Sequence, residues 1–267
     1  MTSDAVPGAF TEPAPKSVPA MALSALTKVY GTLRAVDGID LDIPVGSFYG
    51  VVGPNGAGKT TTLSMATGLL TPDAGTVHVC GIDLWQRPDA AKPLLGVLPD
   101  GLRTFDRLTG AELISYAGRL RGLAPDVISA RRDDLITALD LGGAARTLVM
   151  DYSAGMSKKI ALACALVHAP RVLVLDEPFE AVDPVSATSI RRILIDFVAG
   201  GGTVVMSSHV MALVERLCTH VAVVGAGRVL ASGELDEVRG DSALEERFVE
   251  LVGDDREHRD LTWLRPS

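Results

Sequence analysis

Two short stretches of this chain carry residue types that act on phosphate. Gly53, Pro54, Asn55, Gly56, Ala57, Gly58, Lys59 and Thr60 fit GxxxxGK[ST], between an apolar run ending at Val52 and a helix-prone run opening at Thr61. Glycines there let successive backbone N–H groups converge on phosphate oxygens, and the following helix N-terminus adds partial positive charge. Lys59 would reach the β- and γ-phosphates, and Thr60 would offer its hydroxyl to Mg²⁺. The expected nucleotide-binding set is therefore Gly53 to Thr60 with the adjoining Thr61; the plainer alternative is a structural glycine turn.

The second stretch, Arg171 to Pro178, sets two carboxylates, Asp176 and Glu177, at the end of an apolar run. Adjacent acids there cost solvation unless something cationic meets them. Beside a phosphate loop that partner is Mg²⁺, held by Asp176 directly or through water, which leaves Glu177 to take a proton from the water attacking the γ-phosphate. An ordinary strand-end charge pair is the alternative reading.

Such residues need strands that end side by side. Short β-like runs cover Ala22 to Val29, Ala35 to Ile43 and Ser47 to Val52; a helix is expected over Thr61 to Leu70 and a strand over Thr76 to Cys80. From Thr109 to Val167 the spacing of Leu113, Tyr116, Ala117 and Leu120, then Ile128, Leu135 and Leu139, is helical. Strand and helix then alternate: Arg171 to Leu175, Ser186 to Phe197, Thr203 to Ser208, Val210 to Cys218. A hairpin over Val221 to Val224 and Arg228 to Ala231 closes the series. This order predicts an α/β fold on a mainly parallel sheet.

Whole-chain properties narrow the class. The 267 residues are 47% apolar, enough for one large domain, and no run approaches the roughly 20 apolar residues that span a bilayer. Residues 1–20 lack the basic patch and apolar core of a signal peptide and read as a disordered tail. Cys80, Cys164 and Cys218 suggest neither a disulfide framework nor a zinc site, which fits a reducing cytoplasm. A net charge of −8 with scattered Lys and Arg argues against a nucleic-acid partner.

Taken together, residues from about Met21 to Val238 resemble the ABC (ATP-binding cassette) ATPase family. The deciding element is Tyr152, Ser153, Ala154, Gly155, Met156, Ser157, Lys158 and Lys159, some twenty residues before the Asp176 strand, where the family carries its LSGGQ signature. Ser153 and Gly155 match it literally, and the whole looks like the YSxGMxKK variant of ABC-2 type exporters; read alone, Ser153 could be a helix N-cap. The resemblance implies a P-loop NTPase (RecA-like) core with a mainly parallel sheet, an antiparallel β subdomain and an α-helical subdomain at about 101–168. The ATPase domain would span 21–238, with a charged tail over 239–267.

It also implies ATP and Mg²⁺ as cofactors and an ATPase that energises transport, in the export direction by the signature variant, through a transmembrane permease subunit on a separate chain. Such a subunit sits peripherally on the inner face of the membrane. One phosphate loop and one signature per chain imply a second ATPase subunit, with Ser153, Ala154, Gly155 and Met156 acting in trans. His209 matches the switch histidine, Asp183 the D-loop at the dimer seam, and Tyr30 the aromatic that stacks on adenine, although a core or edge tyrosine is equally open. Asp100 stands where the family commonly has glutamine; it is either a third metal-site oxygen or simply a turn residue. Leu102, Phe105 and Leu108 line either a groove for a helix of the membrane subunit or the chain's own core. A soluble ABC-type ATPase of translation or DNA repair is the competing function.

Overall fold

A computed structural model describes residues 18–101 and 105–253. Leu102, most of the expected 1–20 tail and everything past Gly253 lie outside the described residues. In chain order the first half supplies β1 (Met21–Tyr30), β2 (Leu33–Ile43), β3 (Phe48–Val52), α1 (Lys59–Ala66), β4 (Ala74–Val79), β5 (Ile82–Asp83), α2 (Pro88–Ala91) and β6 (Leu95–Leu98). The rest supplies α3 (Gly110–Leu120), α4 (Pro125–Ala138), α5 (Ala154–Leu166), β7 (Val172–Leu175), α6 (Pro184–Ala199), β8 (Thr203–Ser208), α7 (Met211–Leu217), β9 (His220–Gly225), β10 (Arg228–Glu234), α8 (Leu235–Arg239) and α9 (Leu244–Val252).

Six strands form one sheet in the order β10-β9-β3-β8-β7-β6, parallel except for the antiparallel edge strand β10. A second, antiparallel sheet has the order β2-β1-β4-β5. The uninterrupted apolar character of β3 and β7 follows from burial on both faces. Phe48, Val52, Leu173, Leu175, Val204 and Met206 enter a core shared with the helices. Their alternate neighbours Tyr49, Val51, Val172, Val174 and Val205 enter a second core shared with the antiparallel sheet. Register then fixes the chemistry: Val52 lies opposite Ser208, Leu175 opposite Met206 and Leu98 opposite Leu175. The chain leaving β3, β8, β7 and β6 therefore emerges along one carboxyl edge, the usual place for a ligand in such sheets.

Three expectations shift. α1 starts at Lys59 and ends at Ala66, where the Thr67 hydroxyl turns back to Leu63 O at 2.8 Å and Gly68 takes φ 74°. The last hairpin is longer than expected and turns on two residues, Ala226 and Gly227, both left-handed, which matches the twist of paired strands. Packing also continues beyond Val238: Leu244 is fully buried and its N–H donates to Glu215 Oε1 at 2.6 Å, so α9 belongs to the packed body rather than to a charged tail starting at 239.

The ends of α3 and α5 lean on the segment that feeds β6, and α4 holds the end of α5. Arg121 Nη1 donates to Lys92 O at 2.9 Å, Arg131 Nη1 to Val167 O at 2.8 Å, and His168 Nε2 lies 2.9 Å from Leu95 O. Burial, with the Arg121 guanidinium second, pushes the His168 pKa from 6.5 down to about 4. Across that window the unfolded chain binds a proton that the folded chain refuses, so stability falls as pH falls from about 6.5 to about 4. His168→Gln is expected to flatten the dependence of Tm on pH across this window; an unchanged slope would assign the acid sensitivity to other groups.

Candidate active site

The phosphate loop follows from β3 and is closed by a left-handed residue. Gly58 takes φ 100° as the N-cap of α1, and a Cβ there would stand 2.5 Å from Ala35 O, so only glycine fits. Among the described residues no side chain caps α1, which leaves its first N–H groups available to an anion. Lys59 is buried, and its ammonium donates to Gly53 O at 2.7 Å and Pro54 O at 3.2 Å, bracing the loop across its own width. Thr60 is exposed and Thr61 half-buried.

The two carboxylates part company at the end of β7. Asp176 is buried and accepts a 2.5 Å hydrogen bond from Ser207 Oγ on β8, while the same hydroxyl accepts the Glu177 N–H at 2.8 Å. Glu177 sits at φ 45°, a left-handed conformation that costs a non-glycine residue on the order of 1–3 kcal/mol and is commonly kept at functional sites. Its Oε1 lies 3.1 Å from His209 Nδ1. Sequence reasoning placed Asp176, Glu177 and His209 but missed Ser207. The available signal was a pair of buried hydroxyls, Ser207 and Ser208, closing an apolar run just before the histidine.

A groove of about 480 Å³ collects these groups: Tyr30, Asn55 to Thr61, Asp100, Glu177 and His209 line it, joined by Leu33, Ala35 and the unforeseen carboxylate Glu180. Gly53 is buried and Pro54 half-buried behind the loop. Tyr30 is 48% exposed, with Lys28 Nζ 5.8 Å from its ring centroid, so it is a wall of the groove and not a core residue. Thr60, Asp100 and Asp176 share a narrow cleft of about 50 Å³. One hydroxyl with two carboxylates is a hard-oxygen set suited to Mg²⁺, which prefers one or two protein oxygens plus phosphate and water. Asp100 also makes its turn, accepting Gly101 N–H at 2.8 Å.

The remaining predicted residues gather elsewhere. Ser153 caps α5, its Oγ accepting Met156 N–H at 3.2 Å, and Asp183 caps α6 by accepting Val185 N–H at 3.0 Å and Ser186 N–H at 2.9 Å. The two caps touch through Gly155, where a Cβ would stand 2.6 Å from Asp183 Oδ2 and 2.7 Å from Ser186 Oγ. Ser153, Ala154, Gly155, Met156 and Asp183 are all absent from the wall of this chain's own groove.

Comparison with known proteins agrees with this architecture. The family described as ABC transporter matches residues 36–180. The daunorubicin/doxorubicin resistance ATP-binding protein DrrA of Streptomyces peucetius is 38% identical over 82% of this chain and 67% of its own length. The Nod factor export ATP-binding protein I of Cupriavidus metallidurans is 38% identical over 86% of this chain and 76% of its own. A solved ATP-binding subunit of an ABC transporter superposes with a TM-score of 0.82 at 26% identity, covering 88% of this chain and all of that one. A dimeric cassette bound to ADP and Pi after hydrolysis shares the fold, with a TM-score of 0.74 at 22% identity over 80% of this chain and 98% of its own. With its phosphate loop, paired carboxylates and histidine on one sheet edge, this chain belongs to the ABC transporter family as an ATP-binding, ATP-hydrolysing subunit.

Proposed function

We propose that this chain binds MgATP between two ATPase subunits and drives export through a transmembrane subunit on a separate chain, lying peripherally on the inner face of the membrane. The observation that carries the dimer is the position of Ser153 and Ala154. Both are exposed at an α5 N-terminus, a hydroxyl-plus-backbone anion site, yet lie outside this chain's groove. A γ-phosphate held by a second subunit is the anion that such a site fits. Asp183, beside it, lies at the seam. Within the groove Tyr30 would stack on adenine and the Gly53 to Thr61 loop and Lys59 would hold phosphates, while in the adjoining cleft Thr60, Asp176 and Asp100 would hold Mg²⁺, which would supply positive charge toward the phosphoryl group. Glu177 accepts the proton of the attacking water and His209 fixes its carboxylate. Export is supported by relatives named for drug resistance and Nod factor export.

The partner's docking surface includes Phe105. It is 58% exposed and rests edge-on against Tyr116 at 5.0 Å, whereas Leu108 packs onto the core. The test is what co-purifies with the Glu177→Gln chain in ATP from detergent-solubilised membranes of its native cell. A stoichiometric multi-spanning subunit is expected. Ribosomes or DNA in its place would favour an ATPase of translation or repair. Phe105→Glu is expected to abolish the membrane partner's co-purification while leaving Tm nearly unchanged, since an exposed side chain carries little stability; an unfolded variant would place Phe105 in the core after all.

A further inference from the structure

The Glu177 peptide is gripped on both sides, and one grip comes from the helix that carries the signature. Its N–H donates to Ser207 Oγ at 2.8 Å, and its carbonyl accepts from Lys158 Nζ on α5 at 2.9 Å. The next residue is Pro178, which has no N–H, so the carbonyl is the only hydrogen-bonding handle on the peptide leaving Glu177. Glu180 N–H reaches that carbonyl at 3.2 Å, but from within the same turn. Lys158 is therefore the contact that ties the carbonyl of this left-handed residue to a separate element, as Ser207 ties its N–H. A small rotation of the peptide swings the carboxylate away from His209, since Glu177 Cα stands between the two grips.

We infer that Lys158 is a positioning residue for the hydrolytic glutamate of its own chain; the inference rests on Glu177 being the base. α5 does not need Lys158 to stay in place, because Ile160, Leu162 and Ala163 anchor it in the core. The same helix presents Ser153 at its start, five residues before Lys158.

The test compares Lys158→Met with Lys158→Arg in the full-length chain, each alone and with Glu177→Gln, reading kcat and KM for MgATP together with Tm. Lys158→Met is expected to lower kcat by about tenfold, the scale of a modest misplacement of a reacting group, with KM within about twofold. Lys158→Arg keeps a donor and is expected to recover most of the loss. In the Glu177→Gln background the Met substitution is expected to cost less than about twofold more, the non-additivity of residues acting as one unit. A rise in KM would make Lys158 a nucleotide contact, and equal losses in both backgrounds would make it a structural lysine; either overturns the inference. Wild-type turnover of Lys158→Met beside a crippled Glu177→Gln overturns the positioning role alone, whereas wild-type turnover of Glu177→Gln itself overturns the base assignment and the inference with it.

Discussion

Glu177→Gln is expected to lower ATP turnover by roughly a hundredfold or more while ATP affinity stays within about twofold. The amide has the shape of the carboxylate and can still meet His209, but it cannot accept a proton at neutral pH. The backbone that places it is unaffected, because Ser207 Oγ and Lys158 Nζ hold main-chain atoms and not the carboxylate. Only the interaction made as the water loses its proton disappears, which is the pattern of an unchanged ground state and a raised barrier. Phosphate release and equilibrium binding of ATP on one preparation separate the two quantities. Turnover near wild type would remove Glu177 as base, and a parallel loss of affinity would make it a binding residue instead.

What the sequence showed of this site depended on distance along the chain. Gly53 to Thr60 and the Asp176, Glu177 pair are local patterns whose geometry is set by a turn and a strand end, so residue types alone reveal them. Ser207 is different: its hydroxyl matters only because β8 pairs with β7 in a register that sets it against Asp176 and the Glu177 amide, 31 and 30 residues away. The Lys158 contact needs α5 to pack against the end of β7 and is equally silent in one dimension. Tyr30 and Phe105 were ambiguous for the same reason, since an aromatic near a turn reads alike whether it is exposed or buried; their exposure takes both out of the core.

The fold was more legible than its edges. Apolar runs marked β3, β7 and β8 because both faces of that sheet are covered, and the alternation of strand and helix gave its parallel sense. Helix ends were set by features that periodicity does not carry: the left-handed Gly58 starts α1 two residues early, and the Thr67 hydroxyl stops it. The stretch after Val238 looked like a tail because its charges dominate composition, yet Leu244 and the contact to Glu215 bind it to the body.

Lys59→Met is expected to weaken ATP binding by about a hundredfold or more while costing the nucleotide-free chain little stability. Two charge-assisted hydrogen bonds to phosphate at about 1.5 kcal/mol each amount to about 3 kcal/mol, which is on the order of a hundredfold in Kd. Without nucleotide the ammonium serves, among the described residues, the carbonyls of Gly53 and Pro54. Methionine fills the same buried volume with no ion to desolvate, and the loop keeps its Ala57 N–H to Pro54 O bond at 3.1 Å. Loss of the brace and relief of the buried charge therefore largely offset each other. The two effects separate in one thermal titration: Tm without ATP close to that of the parent, and the ATP-dependent rise in Tm nearly lost, because that rise follows RT ln(1 + [L]/Kd). Running it in the Glu177→Gln background keeps the nucleotide intact during the scan. If the ATP-dependent rise survives, Lys59 is a structural lysine and the phosphates are held by backbone N–H groups alone. If the nucleotide-free Tm collapses instead, the brace across Gly53 and Pro54 is what keeps the loop, and with it the edge of β3, in place.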